Sequence, residues 1–407
     1  MERRGQTRTR QSFARRLGSL SALALMAVVF LAACGDDKSP YSSITPRSSI
    51  ADEVQGIYKL VFWLALVIFV GVQAAIVYTV MKFRRRREGE ARPPQTHGNK
   101  TLEILWTMIP AVILLVIFIP TVRTMYNQAD EAQSGEYVIE VYGKQWWWEI
   151  HYKEPATVAT VITANEIRIP VGVPVQIHLF SNNVIHSFWI PQLSGKMDVM
   201  PGHENVLGFT AESEGRYFGE CAEFCGESHA WMRFQVVVES QENFDSWIAA
   251  YNAGPQGEAA QWGTDPKTGL LKTPPSFGLC IGCHRVNGTT ANVASVGLNQ
   301  QAGTADAPGT ARTAGPNLSL IGCRTTLAAG MLANDSDNLY LWLHNPGGIK
   351  QGNHMASVIT EGLLSDEQIA ELTVYLESLV PAGGCLALPA DAENVDILDA
   401  TPIAASS

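Results

Sequence analysis

Charge is scarce in this 407-residue chain: only 17% of residues are Asp, Glu, Lys or Arg, against 46% hydrophobic. Positive charge is the scarcer sign, with 29 Lys and Arg against 39 Asp and Glu and a formal net charge of −10. That deficit excludes nucleic acid as a partner, since phosphates demand a basic face. A basic protein partner stays open if the acids cluster. No repeat of the propeller kind is present either, which removes that architecture. Cysteine is infrequent and odd in number, seven in all, so disulfide pairing cannot use every one. The length exceeds one ordinary domain, and the low charge suits a chain with both membrane and soluble parts.

The N-terminus reads "MERRGQTRTRQSFARRLGSLSALALMAVVFLAAC". An arginine-rich start, an apolar run and a small-residue end form an export signal rather than folded structure. Leu31-Ala32-Ala33-Cys34 resembles the bacterial lipobox, which makes Cys34 a lipidation site; an ordinary signal anchor is the alternative.

Two uncharged apolar runs follow, Leu60 to Met81 and Ile104 to Val122, the second containing Pro110 and Pro120. Each is long enough to cross a hydrocarbon core of about 30 Å as a helix. Lys82, Arg84 to Arg87, Arg92 and Lys100 lie between them, and short basic loops stay cytoplasmic. The pattern predicts a membrane hairpin with everything after about Arg123 outside the cytoplasm.

From about Glu136 to Val238, short β-rich runs such as "YVIEVYG", "ENVLGFTAE" and "RFQVVVE" alternate with turn residues. This predicts an antiparallel sandwich, closed by a helix at "QENFDSWIAAYNA". Within it, "CAEFCGESHAWM" gathers Cys221, Cys225, His229 and Met232, and His186 in "NVIHSFWIP" is a remote fifth donor. Thiolate, imidazole and thioether together select a soft or borderline metal, copper first. Zinc on two cysteines and two histidines, or a Cys221–Cys225 disulfide, are the alternatives; neither uses Met232.

A Gly- and Pro-rich stretch at 252–275 reads as a linker. Beyond it, "CIGCHRVNG" sets Cys280, Cys283 and His284 in the spacing for covalent haem, two thiols for the vinyl groups and an adjacent imidazole for iron. A redox Cys-x-x-Cys would not need His284.

The C-x-E-x-C-x-x-x-H-x-x-M pattern of residues 221–232 resembles the binuclear copper A signature of cytochrome c oxidase subunit II. The likeness extends to "EILWTMIP", "GKQWWW", "NVIHSFWIP" and "KMDVMPG". It implies a cupredoxin-like sandwich on a two-helix anchor, with Cys221 and Cys225 bridging two copper ions. His186 and His229 would each ligate one copper, with Met232 a weak ligand to one and the Glu223 carbonyl to the other. The Glu223 carboxylate would face a magnesium or manganese ion shared with the catalytic subunit. The resemblance also implies an electron-input role for Trp146, against the plainer reading that Trp146 and Trp148 pack a core; Trp147 and Trp148 stay unassigned. Asn183 replaces the family's usual Asp, so part of an acidic docking face is missing.

Residues after the linker resemble a class I cytochrome c in "AGPNLSLIGCR", "LYLWLHNPGGIKQGNHM" and "LSDEQIAELTVYLESL". This implies Met355 as sixth iron ligand, with His354 the runner-up and Met331 and His344 weaker. Once lipid, copper and haem take their cysteines, Cys323 and Cys385 remain, and an oxidising compartment predicts that they pair.

The expected layout is a signal peptide at 1–33, an extracytoplasmic segment at 34–56, a transmembrane hairpin at 57–125 and a copper A domain at 136–251. The linker at 252–275, an all-α cytochrome c domain at 276–388 and a tail at 389–407 complete it. Such a multidomain chain resembles subunit II of a caa3-type oxidase in a bacterial cell membrane, partnered by subunit I, other oxidase subunits and an upstream electron donor. The rivals are a tethered copper and haem carrier outside any oxidase, a quinol oxidase subunit, which would lack the copper ligands, and nitrous-oxide reductase, which needs the missing propeller.

Overall fold

The computed structural model describes residues 41–84, 98–155, 158, 161–181, 183–291 and 315–389. The signal-like segment with Cys34, most of the basic loop and nearly all of the 389–407 tail lie outside the described residues. Helix α1 (Ser49–Phe83) starts where the Ser48 hydroxyl accepts from the Ala51 amide, and α2 (Lys100–Glu131) where the Asn99 side chain caps Thr101 and Leu102. Such caps satisfy amides that the first helical turn leaves unpaired. Each helix has an 18-residue stretch of mean hydropathy 2.6 or 2.5 with none of it buried. Apolar side chains facing outward all round are what hydrocarbon, not water, would tolerate. Both helices outrun the apolar stretches, and at the far end Asn127 Nδ2 donates to Glu53 Oε1 at 2.6 Å.

Among the described residues the sandwich has ten strands: β1 (Tyr137–Lys144), β2 (Trp147–Glu154), β3 (Ile162–Ala164), β4 (Glu166–Pro170), β5 (Pro174–Ser181), β6 (His186–Trp189), β7 (Met197–Val199), β8 (Asn205–Thr210), β9 (Gly215–Cys221) and β10 (Arg233–Glu239). They form two five-stranded sheets, ordered β3-β2-β1-β5-β8 and β4-β10-β9-β6-β7. Period-two burial is clean in β1, β2 and β5, which puts Ile139, Val141, Ile150, Ile177 and Leu179 between the sheets. The expectation of a purely antiparallel sandwich fails at two places, since β1 pairs with β5 and β4 with β10 in parallel. Parallel neighbours need a crossover, and the chain supplies one by passing from β3 in one sheet to β4 in the other. Tyr152 pins the two sheets, its hydroxyl donating to the Arg168 carbonyl and accepting from the Arg168 amide, both at 2.7 Å. Helix α3 (Gln241–Ala253) closes the sandwich as expected, burying Phe244, Trp247, Ile248 and Tyr251.

The segment 252–275, expected as a linker, is folded against the last domain instead. The Gln256 amide donates to the Val380 carbonyl at 2.8 Å. A 3₁₀ turn at Gly257–Trp262 buries Ala259, and Trp262 meets Tyr375 edge-on at 6.2 Å. Its glycines and prolines serve turns rather than flexibility. The cytochrome-like domain packs α4 (Ser336–His344) and α6 (Asp366–Glu377) around Phe277, Leu339, Leu343, Leu372 and Tyr375, with the one-turn α5 (Pro346–Ile349) leading into the loop before Met355. Ser365 and Gln368 form a reciprocal capping box at the start of α6. Just beyond α6, Cys385 is bonded to Cys323, with Cα atoms 5.3 Å apart.

Candidate copper and haem centres

Cys221 ends β9, and Cys225 follows four residues later in the loop to β10. The two Sγ atoms lie 3.7 Å apart and are not bonded to each other, which removes the disulfide alternative. His186, the first residue of β6, aims Nδ1 at Cys221 Sγ from 3.8 Å. On the other side, His229 Nδ1 is 3.6 Å and Met232 Sδ 3.8 Å from Cys225 Sγ. The Glu223 carbonyl oxygen lies 3.2 Å from Cys221 Sγ, and the residue is exposed. All six sequence-chosen residues therefore converge, and His186, Met232 and both thiols are buried. A hydrogen bond from the Cys225 thiol lowers the pKa of Cys221 well below the usual thiol range, outweighing burial, and the same contact raises that of Cys225. A thiolate is the form that binds metal.

Sequence reasoning missed the residues that orient this cluster. His186 Nε2 bonds Asn183 Oδ1 at 3.2 Å, Asn183 Nδ2 donates to Gln145 Oε1 at 3.1 Å, and Gln145 Nε2 donates to the Cys225 carbonyl at 2.7 Å. That chain fixes which imidazole nitrogen faces the sulfurs, as outer-shell partners of metal ligands do. Asn183 was legible only as a missing acid; its bond to His186 is tertiary.

Trp146 and Trp148 part company. Trp148 is on β2, fully buried against Phe188 and Phe234, so it packs the core. Trp146 sits one residue before the strand, in the turn from β1, and its indole Nε1 donates to the Cys225 carbonyl at 3.1 Å.

The second centre is a cavity lined by Cys280, Cys283, His284 and Met355, with Trp146 and Trp147 of the sandwich on its wall. The amides of Cys283 and His284 both donate to the Cys280 carbonyl, at 3.0 and 2.8 Å, curling the C-x-x-C-H stretch so that thiols and imidazole share the cavity. His284 Nδ1 is 2.8 Å from the Pro316 carbonyl. A carbonyl can only accept, so Nδ1 carries the proton and Nε2 is the free donor atom. Burial pushes the His284 pKa down, against that bond, which favours the neutral imidazole a metal needs. A Cβ on Gly315 would stand 2.5 Å from His284 Cε1; only glycine lets the ring lie so close. These features fit a covalently held haem. His354 also reaches the cavity, whereas Met331 and His344 are not among its lining.

The two centres face each other because the domains are docked. Lys350 Nζ, although in the cytochrome-like domain, donates to the carbonyls of Trp146, Trp231 and Ala328. Ser228 Oγ donates to the Gln351 carbonyl at 2.6 Å, and Asn317 Nδ2 to the Ile162 carbonyl at 2.8 Å. A lysine in a Gly-rich loop reads as solvated, so nothing in the sequence marked Lys350.

A cupredoxin-like sandwich with a soft-donor cluster follows two helices long and apolar enough to cross a membrane and is docked to a cytochrome c-like domain, the architecture of a redox-cofactor protein. Family models match all three parts: cytochrome c oxidase subunit II transmembrane domain at residues 45–124, its periplasmic domain at 137–241, and cytochrome c at 277–380. Cytochrome c oxidase subunit 2 of Alkalihalophilus pseudofirmus is 31% identical over 86% of this chain and 94% of its own length. That of Bacillus sp. PS3 is 34% identical over 87% and 95%, so both likenesses run through hairpin, sandwich and cytochrome domain. A solved periplasmic domain of subunit II from Bradyrhizobium japonicum is 28% identical, covers 28% of this chain and 93% of its own, and gives a TM-score of 0.27. The chain belongs to the cytochrome c oxidase subunit II family, in the form with a fused C-terminal cytochrome c domain. It is a subunit of a haem–copper oxidase, and its domains are those that carry copper A and haem c.

Proposed function

We propose that this chain is the electron-input subunit of the oxidase, taking electrons at its cytochrome domain and delivering them through its copper domain to subunit I, where oxygen is reduced and protons are pumped. Copper A and haem c, when bound, supply the one-electron sites. The chain's residues do the rest. Cys221, Cys225, His186, His229, Met232 and the Glu223 carbonyl would hold copper A. A thioether seated among the sulfurs favours copper over zinc. Burial and the Asn183–Gln145 chain limit ligand motion, which keeps reorganisation low. The exposed Glu223 carboxylate would be available to a magnesium or manganese ion shared with subunit I.

Cys280 and Cys283 would hold haem c covalently, and His284 and Met355 would be the ligands to its iron. The single observation that carries this reading is Trp146, which borders the haem cavity and bonds the Cys225 carbonyl, so that it connects the two centres. The basic loop after Lys82 stays in the cytoplasm and both soluble domains stand outside it, in a bacterial cell membrane. The donor that reduces the cytochrome domain is a respiratory cytochrome or complex.

Purifying the full chain from membranes tests this reading. It expects two coppers per covalent haem and a co-purifying polytopic protein with haem a. Zinc in place of copper would overturn the copper assignment; both cofactors without an oxidase partner would favour a free tethered carrier.

A further inference from the structure

Lys350 is an unusual lysine. It is 3% exposed, although it lies in a surface loop of the cytochrome domain. Its Nζ meets three carbonyl oxygens, Trp146 at 2.7 Å, Trp231 at 2.9 Å and Ala328 at 3.0 Å. An ammonium has three N–H donors and all three are used; a neutral amine could supply only two. Two acceptors belong to the copper domain. Trp146 is the residue between the centres, and Trp231 lies between His229 and Met232 of the copper loop. The third, Ala328, belongs to Lys350's own domain. Two residues on, Gly352 presses its backbone on the same tryptophan: a Cβ there would lie 2.8 Å from Trp146 Cη2 and 2.5 Å from Glu227 Oε2. The loop that delivers Met355 is thus fastened to the tryptophan and to the copper loop at one point.

We propose that Lys350 is an interdomain latch, a positioning residue that holds the cytochrome domain on Trp146 and so sets the rate of electron transfer between the two centres. The proposal rests on the haem c to copper A direction given above. Burying an ammonium is costly unless its donors are satisfied, and here satisfaction requires docking, so undocking would leave the three carbonyls and the charge to water. The latch also covers Trp146, which is 7% exposed, against a second, soluble donor. It therefore leaves the attached domain, rather than a second donor, facing Trp146.

The test uses the assembled oxidase. In the wild type, amine acylation read by mass spectrometry should modify the exposed Lys267 and Lys272 while leaving Lys350 unmodified; acylation of Lys350 as fast as those two would overturn the latch outright. Lys350→Met should slow flash-initiated reduction of copper A from haem c at least about ten-fold, the scale set by losing charge-assisted hydrogen bonds. Direct photoreduction of copper A and its onward transfer should stay at the wild-type rate, a split that general misfolding would not give. Lys350→Arg should fall in between, because its fork cannot donate to three carbonyls from one atom. An unchanged haem-to-copper rate in Lys350→Met, with both spectra intact, would sink the latch. Loss of the copper or haem spectrum from the wild type would instead overturn the underlying functional reading.

Discussion

The indole Nε1 of Trp146 donates to the backbone carbonyl of Cys225 at 3.1 Å, while the same ring forms part of the wall of the cavity that holds His284 and Met355. One side chain thus spans from a sulfur ligand's own peptide to the second centre. Replacing it by leucine would remove both the bond and the ring. We expect Trp146→Leu to bind copper and haem normally and to slow electron transfer between them about ten- to a hundred-fold, the cost expected when a reacting pair loses its positioning. Trp146→Phe, which keeps a ring but not the N–H, should lie between. Laser flash photoreduction followed at both chromophores measures this, and wild-type rates in the leucine variant would refute the role.

Met355 shares its cavity with His284, and His354 stands beside it. A thioether favours ferrous iron more than imidazole does. Met355→His should therefore retain covalent haem but lower its midpoint potential by on the order of 100 mV or more. The methionine–iron charge-transfer band should vanish as well. If that band is already absent from the native oxidised protein, Met355 is not the ligand.

How much of this was legible in the sequence depends on distance along the chain. Cys221 to Met232 and Cys280 to His284 are local, because one loop must deliver each set of donors, and both were readable from spacing alone. The strands were readable from period-two burial, but periodicity carries no information about partners, so the parallel β1–β5 and β4–β10 pairs were not. Residues 252–275 misled because glycine and proline mark turns whether or not the turn packs. Lys350 and Trp146 are 204 residues apart, and only the folded chain joins them. Gln145 and Asn183 were hidden for the same reason.

Salt should hardly matter to the internal step. The docked surfaces meet largely through backbone carbonyls, amides and hydroxyls, and Lys350 and Arg324, charged side chains that hydrogen-bond across them, bind neutral oxygens, Arg324 reaching Thr163 Oγ1 at 3.3 Å. Covalent linkage also keeps the effective concentration high without charge steering. Between about 0.01 and 1 M salt, where the screening length falls from about 30 to 3 Å, the haem-to-copper rate should change less than about two-fold. A steep decline would mean that the domains separate and re-dock under charge guidance.

The disulfide offers a stability test independent of the redox centres. Cys323 lies beside the segment that carries Pro316, whose carbonyl orients His284, and Cys385 follows α6. Their bond closes 62 residues, with a Cα separation of 5.3 Å that lies inside the usual range. On the chain-entropy model a loop of that length is worth about 4 kcal/mol. Cys323→Ala with Cys385→Ala should lower the unfolding midpoint of the cytochrome domain, followed through haem absorbance in denaturant. A mild reductant should bring the wild type down to the variant's midpoint and leave the variant unmoved, which separates loss of the bond from loss of two sulfur atoms. Equal midpoints for wild type and variant without reductant would show that the bond contributes nothing to the domain that holds haem c.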